Sequence, residues 1–229
     1  MDTKTKNKKE LKIIVVGNSG TGKTSFVNKW IKNTFSENYK ATIVSEFSYK
    51  IYEYKGKMYK IQLWDLAGQD QNTCITKIFA KDSHGTIVLS DVTNEQSLQE
   101  CIKWKDSVDE NTKFLDGDFL PSVLVRNKID LVGEDFNDDE EIKEFAEKNK
   151  FVNVFKTSAK MGIGIDECME FIIGNIIDRL DKLAQEGKLP VEKERSSIIL
   201  QSSKGSDKKE EQSSNELSEN AKACKRKFI

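Results

Sequence analysis

The chain has few of the residues that mark extracellular, membrane-spanning or metal-bound proteins. Among 229 residues there are four cysteines, two prolines and one histidine. The cysteines (Cys74, Cys101, Cys168, Cys224) show no C-x-x-C spacing. That argues against a zinc site and for a reducing, cytosolic compartment. Cys74, Cys101 and Cys168 read as small packing residues, and His84 as a structural loop residue rather than a base. No uncharged run reaches the ~20 residues of a transmembrane helix. Neither sign of charge dominates, with 37 Lys+Arg against 38 Asp+Glu, which speaks against a nucleic-acid binder. The first ten residues are polar and lysine-rich without an apolar core, unlike a secretory signal. Residue 2 is Asp, which speaks against myristoylation.

What is present is a phosphate-binding signature. Ile13-Ile14-Val15-Val16 has the β-branching of a buried strand. It runs into Gly17-Asn18-Ser19-Gly20-Thr21-Gly22-Lys23-Thr24, and Phe26, Trp30 and Ile31 then follow near helical spacing. Strand, Gly-x-x-x-x-Gly-Lys-Thr and helix start together make a P-loop. Glycines let the backbone approach phosphate. The N–H groups of residues 19–25 and the positive end of the helix face the anion. Lys23 adds charge for the outer phosphates, and the Thr24 hydroxyl can ligate Mg²⁺.

The remaining elements alternate strand and helix, the pattern of a mostly parallel α/β sheet. Strands are expected at residues 46–54, 57–64, 85–90, 122–126 and 152–155, with Lys55-Gly56-Lys57 as a hairpin turn. Pro121 opens the fifth strand. Helices are expected over 96–108, 138–149 and 166–184. Residues 1–9 read as a disordered arm and 10–186 as one domain. Residues 187–229, rich in Ser, Lys, Glu, Gln and Asn, read as a disordered tail; Ile198-Ile199-Leu200 is its one apolar cluster.

A P-loop does not choose a base. Asn127-Lys128-Ile129-Asp130 falls at the carboxyl end of the fifth strand, where open α/β sheets bind ligands. Asp130 there can accept from guanine N1–H and the exocyclic amine, a donor pair that adenine lacks, and the Lys128 stem can lie over the base. Thr157-Ser158-Ala159-Lys160 follows the sixth strand, placed to offer backbone N–H groups to guanine O6. Trp64-Asp65-Leu66-Ala67-Gly68-Gln69 ends the third strand. Asp65 suits the Mg²⁺ shell, the Gly68 N–H the γ-phosphate, and Gln69 the attacking water. Thr42 can reach both Mg²⁺ and γ-phosphate.

Over residues 10–186 these motifs resemble the Ras superfamily of small GTPases and, within it, the Rab family. Lys60-Ile61-Gln62-Leu63-Trp64, Asp91-Val92-Thr93 and Ile102-Lys103-Trp104-Lys105 resemble Rab signatures. Trp64-Asp65-Leu66-Ala67-Gly68-Gln69 loosely resembles the subgroup serving lysosome-related organelles. The resemblance implies a P-loop small G-domain with a six-stranded, mostly parallel sheet flanked by helices. It implies a switch that binds GTP or GDP with Mg²⁺ and hydrolyses GTP slowly, on the order of 10⁻⁴ s⁻¹, in vesicle trafficking. Lys23, Thr42 and Gln69 would be catalytic, and Thr24, Thr42 and Asp65 would hold the metal. Phe35 matches the aromatic covering guanine edge-on, and Tyr39 the switch tyrosine. Exchange factors, activating proteins and effectors would read the two switches of a monomer on the cytosolic face of intracellular membranes.

The sequence also departs from the Rab pattern. Ile43-Val44-Ser45-Glu46-Phe47 stands where Rabs carry Ile-Gly-Val-Asp-Phe, and Asp70, Asn72 and Ala80 alter the second switch. Phe47, Trp64 and Phe79 could form the aromatic cluster that Rab effectors read, or plain core packing. One tail cysteine, Cys224, replaces the usual pair. It sits sixth from the end beside Lys222 and Lys225-Arg226-Lys227, outside a C-a-a-X box. Prenylation with a basic membrane patch and an unmodified cysteine both remain open. A guanine-nucleotide scaffold that barely cycles is the alternative to a switch. A P-loop nucleoside kinase would need an arginine-rich lid that the sequence lacks.

Overall fold

A computed structural model describes residues 9–38, 40–43, 45–68, 74–133 and 138–188. Five helices and six strands appear among them: β1 (Lys9–Gly17), α1 (Lys23–Lys32), β2 (Ser45–Tyr54), β3 (Lys57–Leu66), α2 (Cys74–Ala80), β4 (Gly85–Asp91), α3 (Glu95–Asn111), β5 (Ser122–Asn127), α4 (Asp139–Lys148), β6 (Asn153–Thr157) and α5 (Ile165–Gln185). The strands form one sheet in the order β2-β3-β1-β4-β5-β6. Only the β2–β3 pair is antiparallel. The expected mostly parallel six-stranded sheet is therefore present.

The sheet is driest at its centre. Ile13 to Val16, Ile87 to Leu89 and Val123 to Val125 are fully buried. Such continuous apolar runs belong to parallel strands covered on both faces. Trp104 of α3, Phe26 and Trp30 of α1, and Ile172, Ile173 and Ile176 of α5 supply buried side chains from the helices. Cys101 and Cys168 are buried free thiols, and burial pushes the Cys101 thiol up to about 12. Every residue of the edge strand β2 is half-buried or exposed.

Several boundaries shift from the sequence expectation. Lys9 lies in β1 rather than in an arm, because it pairs in register with Tyr59, and Glu10 takes Lys60 and Gln62 of β3. Thr157 closes β6, while Val152 lies outside it and 43% exposed. α2 was not anticipated. His84 is structural, its Nδ1 accepting from the Lys12 amide at 3.1 Å.

The chain divides into two compact units, Met1–Arg179 and Leu180–Ile229. The first carries the whole sheet. In the second, the end of α5 is closed by Gly187, with φ 67. Its N–H donates to the Ala184 carbonyl, and the Lys188 N–H to that of Leu183, an αL cap that only glycine adopts at low cost. Residues 189–229 of the expected tail, with Ile198-Ile199-Leu200 and Cys224, lie outside the described residues.

Candidate functional site

The site lies at the carboxyl ends of β1, β3, β5 and β6. Residues 17–22 leave β1 and enter α1, and Ser19, Gly20, Gly22, Lys23, Thr24, Ser25, Thr42 and Gly68 line one cleft. Gly22 takes φ 91 at the helix start, and a Cβ there would fall 2.4 Å from Asn127 Nδ2. Gly68 accepts from the Ser19 N–H at 3.0 Å. A Cβ on it would fall 2.3 Å from that nitrogen and 2.6 Å from Lys23 Nζ. Both positions therefore require glycine. The loop is also tied within itself, since the Thr21 hydroxyl donates to the Asn18 carbonyl at 2.9 Å.

The Lys23 ammonium is buried and donates to the Gly17 and Asn18 carbonyls, each at 2.8 Å. Burial lowers its pKa to about 8, with Asp65 pulling the other way. A buried cation hydrogen-bonded to carbonyl dipoles is well placed to receive an anion.

A second group of oxygens gathers beside it. Thr24 Oγ1 donates to Asp65 Oδ2 at 2.5 Å and lies 3.0 Å from Thr42 Oγ1. Asp65 is fully buried, and among the described residues its Oδ1 has no hydrogen-bond partner. Burial raises the Asp65 pKa to about 6, against the pull of the Thr24 hydrogen bond and Lys23. Two hydroxyls and an unsatisfied carboxylate fit a small, hard cation such as Mg²⁺, which completes its shell with water and phosphate oxygens. Among the described residues no cluster of three His, Cys, Asp or Glu side chains could hold a metal unaided.

At the other end of the site Asn127, the last residue of β5, makes three connections. Its Nδ2 donates to the Thr21 carbonyl at 2.9 Å, and its Oδ1 accepts from Thr157 Oγ1 at 3.0 Å and the Ala159 N–H at 3.2 Å. Asp130 Oδ1 accepts from Ser158 Oγ at 2.5 Å. Lys128 takes φ 70, and its ammonium lies 2.6 Å from Asp91 Oδ2. Burial works against the Asp91 charge, but hydrogen bonds from Lys128 and Thr93 keep its pKa below the usual carboxylate value. Lys160 pairs with Glu37 at 3.0 Å on the surface. A cavity of about 420 Å³ opens beside the cleft, sharing Thr24 and Ser25 and edged by Phe35.

Tyr39 and Gln69 lie outside the described residues. Three further residues were missed in the sequence. Asp91 anchors Lys128, Lys40 lines the cleft beside Thr42, and Asn18 ties the loop to α3. Asn18 accepts from Trp104 Nε1 at 2.8 Å and donates to Glu100. Nothing in the spacing of Asn18, Glu100 and Trp104 signals that contact, because it spans more than eighty residues. Phe47, Trp64 and Phe79 form one cluster, with ring centroids 5.0 and 5.3 Å apart. Phe47 is 47% exposed while Trp64 and Phe79 are half-buried, so the cluster runs from the sheet edge to the surface.

The Ras family model matches residues 12–178. The chain belongs to the Ras family of small GTPases. Within that family it sits on the Rab branch. It is 32% identical to Ras-related protein Rab-32 of Sus scrofa over 72% of this chain and 74% of that one. It is 35% identical to Ras-related protein Rab-32C of Dictyostelium discoideum over 73% and 74%, and 31% identical to Ras-related protein Rab-7L1 of Rattus norvegicus over 73% and 82%. As a Rab-type GTPase it binds guanine nucleotide, hydrolyses GTP, and switches between two nucleotide states in trafficking, working with regulators and effectors. These matches favour the switch over a scaffold that barely cycles. Among the described residues no helix is long and apolar enough to cross a membrane.

Proposed function

We propose that the cleft at residues 17–25 grips the triphosphate and that Asn127, Lys128 and Asp130, with Ser158, Ala159 and Lys160, select guanine. The observation that carries this reading is the Asn127 side chain. It bonds the phosphate loop through Thr21 and the base motif through Thr157 and Ala159, so the two halves of one ligand are measured against a common ruler. Asp130 accepts from the two guanine donors, the Lys128 stem covers the base, and Phe35 closes its edge. The Lys23 ammonium leaves the Gly17 and Asn18 carbonyls for the outer phosphates. Thr24, Thr42 and Asp65 would hold Mg²⁺. When bound, the ion neutralises charge on the phosphoryl oxygens.

Catalysis then falls to few groups. Lys23 stabilises charge on the transferring phosphoryl group. Gln69 orients the attacking water, and Thr42 and the Gly68 N–H contact the γ-phosphate. Loss of that phosphate releases both loops. Residues 10–186 form the GTPase domain, a monomer on the cytosolic face of intracellular membranes. The exposed aromatic cluster of Phe47, Trp64 and Phe79 offers effectors a surface. Cys224 with its basic neighbours anchors the tail after prenylation; an unmodified C-terminal peptide by mass spectrometry would remove that part.

The direct test is the nucleotide that the protein carries. Native protein purified without added nucleotide, denatured and chromatographed, should release GDP or GTP in near-stoichiometric amount. Release of adenine nucleotide, or of none, would overturn the reading.

A further inference from the structure

Arg126 and Lys156 stand opposite each other in the parallel β5–β6 register. Each comes one residue before a base-recognition motif, at Asn127 and Thr157. Like charges placed directly across two strands repel, and Arg126 is only 2% exposed. A buried guanidinium demands a compensating charge. The compensation comes from Asp138, at the start of α4. Its Oδ2 accepts from Arg126 Nε at 3.2 Å and Nη2 at 3.1 Å, and its Oδ1 lies 2.8 Å from Lys156 Nζ. Glu95 reaches Arg126 only at 3.7 Å from an exposed position, and Asp139 Oδ1 lies 2.7 Å from Lys156 Nζ. One carboxylate therefore bridges both strands immediately behind the Asn127–Thr157 hydrogen bond. The same residue starts α4, its carbonyl accepting from Ile142 N–H at 2.9 Å.

We propose that Asp138 is a positioning residue for guanine selection. By bridging Arg126 and Lys156 it fixes the register in which Asn127 meets Thr157 and Ala159, and in which Asp130 and Ser158 face the base. The inference rests on the guanine site described above. Asp138 itself touches no nucleotide.

The test compares GDP with IDP, which lacks the exocyclic amine, by competition against a fluorescent GDP analogue on the full-length protein. In Asp138→Asn the bridging charge is lost while the side-chain size is kept. GDP should dissociate faster, on the order of 10-fold, as when other supporting groups behind a ligand contact are removed. The GDP-over-IDP preference should shrink by about fivefold, because Asp130 loses its aim. Adding Lys156→Gln to this variant removes the repelling partner and should recover part of the preference. Loss of stability with the GDP-over-IDP ratio unchanged would overturn the proposal, since a purely structural role moves stability alone. If Asp138→Asn does not hold nucleotide, Arg126→Gln/Asp138→Asn is read in its place. That pair removes the cation with the anion, and an unchanged ratio in it is equally fatal. A wild-type protein that does not distinguish GDP from IDP would instead refute the guanine site itself.

Discussion

The two ends of the candidate site are built differently. At the base end the polar groups are already satisfied by one another. Asn127 spends its side chain on Thr21, Thr157 and Ala159, Asp130 takes Ser158, and Lys128 takes Asp91. At the phosphate and metal end they are not. Among the described residues Asp65 Oδ1 is buried without a hydrogen-bond partner, and Lys23 donates to two backbone carbonyls. Buried polar groups cost least when paired. The base end is thus a preformed template, whereas the phosphate end stores a debt that the ligand settles. It follows that substitutions at the base end should alter selectivity, and those at the phosphate end should alter affinity and ligand-free stability in opposite directions.

The largest expected effect is at Lys23. Lys23→Met removes two or more charge-assisted hydrogen bonds, each worth about 1.5–3 kcal/mol. GTP affinity should fall by about 100-fold or more at tenfold per 1.4 kcal/mol. The same variant, stripped of nucleotide, should melt at a higher temperature than stripped wild type, because a buried cation is gone. A lower melting temperature would break the contrast between the two ends.

Asp130→Asn should be somewhat milder in affinity, with GDP weakened roughly 30- to 100-fold by loss of a charged acceptor. Its signature is a change of preference. An amide can donate to the C2 oxygen of xanthine, so XDP should gain on GDP, as competition between the two nucleotides would reveal. Equal losses for both bases would place Asp130 away from the ligand.

Gln69→Leu should slow single-turnover GTP hydrolysis by about 10-fold while leaving GTP affinity unchanged, since only water positioning is lost. Unchanged hydrolysis would remove Gln69 from the mechanism.

The smallest effect is a pH dependence confined to stripped, metal-free protein. Asp65 keeps its proton to about pH 6 in the folded chain, against 3.8 for an ordinary aspartate. The folded state therefore binds more protons between these values, and stability falls as pH rises through that window. Lys23 titrates at about 8 instead of 10.5, so stability recovers as pH rises from about 8 to 10.5. Thermal melts should show a minimum between about pH 6 and 8, shallow at a few degrees. Mg²⁺ and GDP should fill it in. A minimum that persists in the loaded protein would place its origin elsewhere.

Much of this was legible in the chain. Ile13 to Val16 followed by Gly17 to Thr24 is a local pattern, and local geometry follows from it. The strand carrying Asn127 and the turn carrying Ser158 are equally local. What was not legible depends on long-range packing. α2 is a seven-residue helix whose Cys74, Ile75 and Thr76 are poor helix formers, so tertiary context must override propensity there. The Trp104 and Glu100 grip on Asn18 and the Asp138 bridge each join segments that the sequence gives no reason to pair. The exposure of the Phe47, Trp64 and Phe79 cluster was not legible either, because three aromatics on neighbouring elements fit surface or core.

The most direct test is a competition titration of stripped protein with GTP and ATP in the presence of Mg²⁺. A pocket that grips phosphates through Lys23 and reads the base through Asp130 should bind GTP at least about 1,000-fold more tightly than ATP, because adenine has no donor pair for the Asp130 carboxylate. Comparable affinities for the two nucleotides would contradict it.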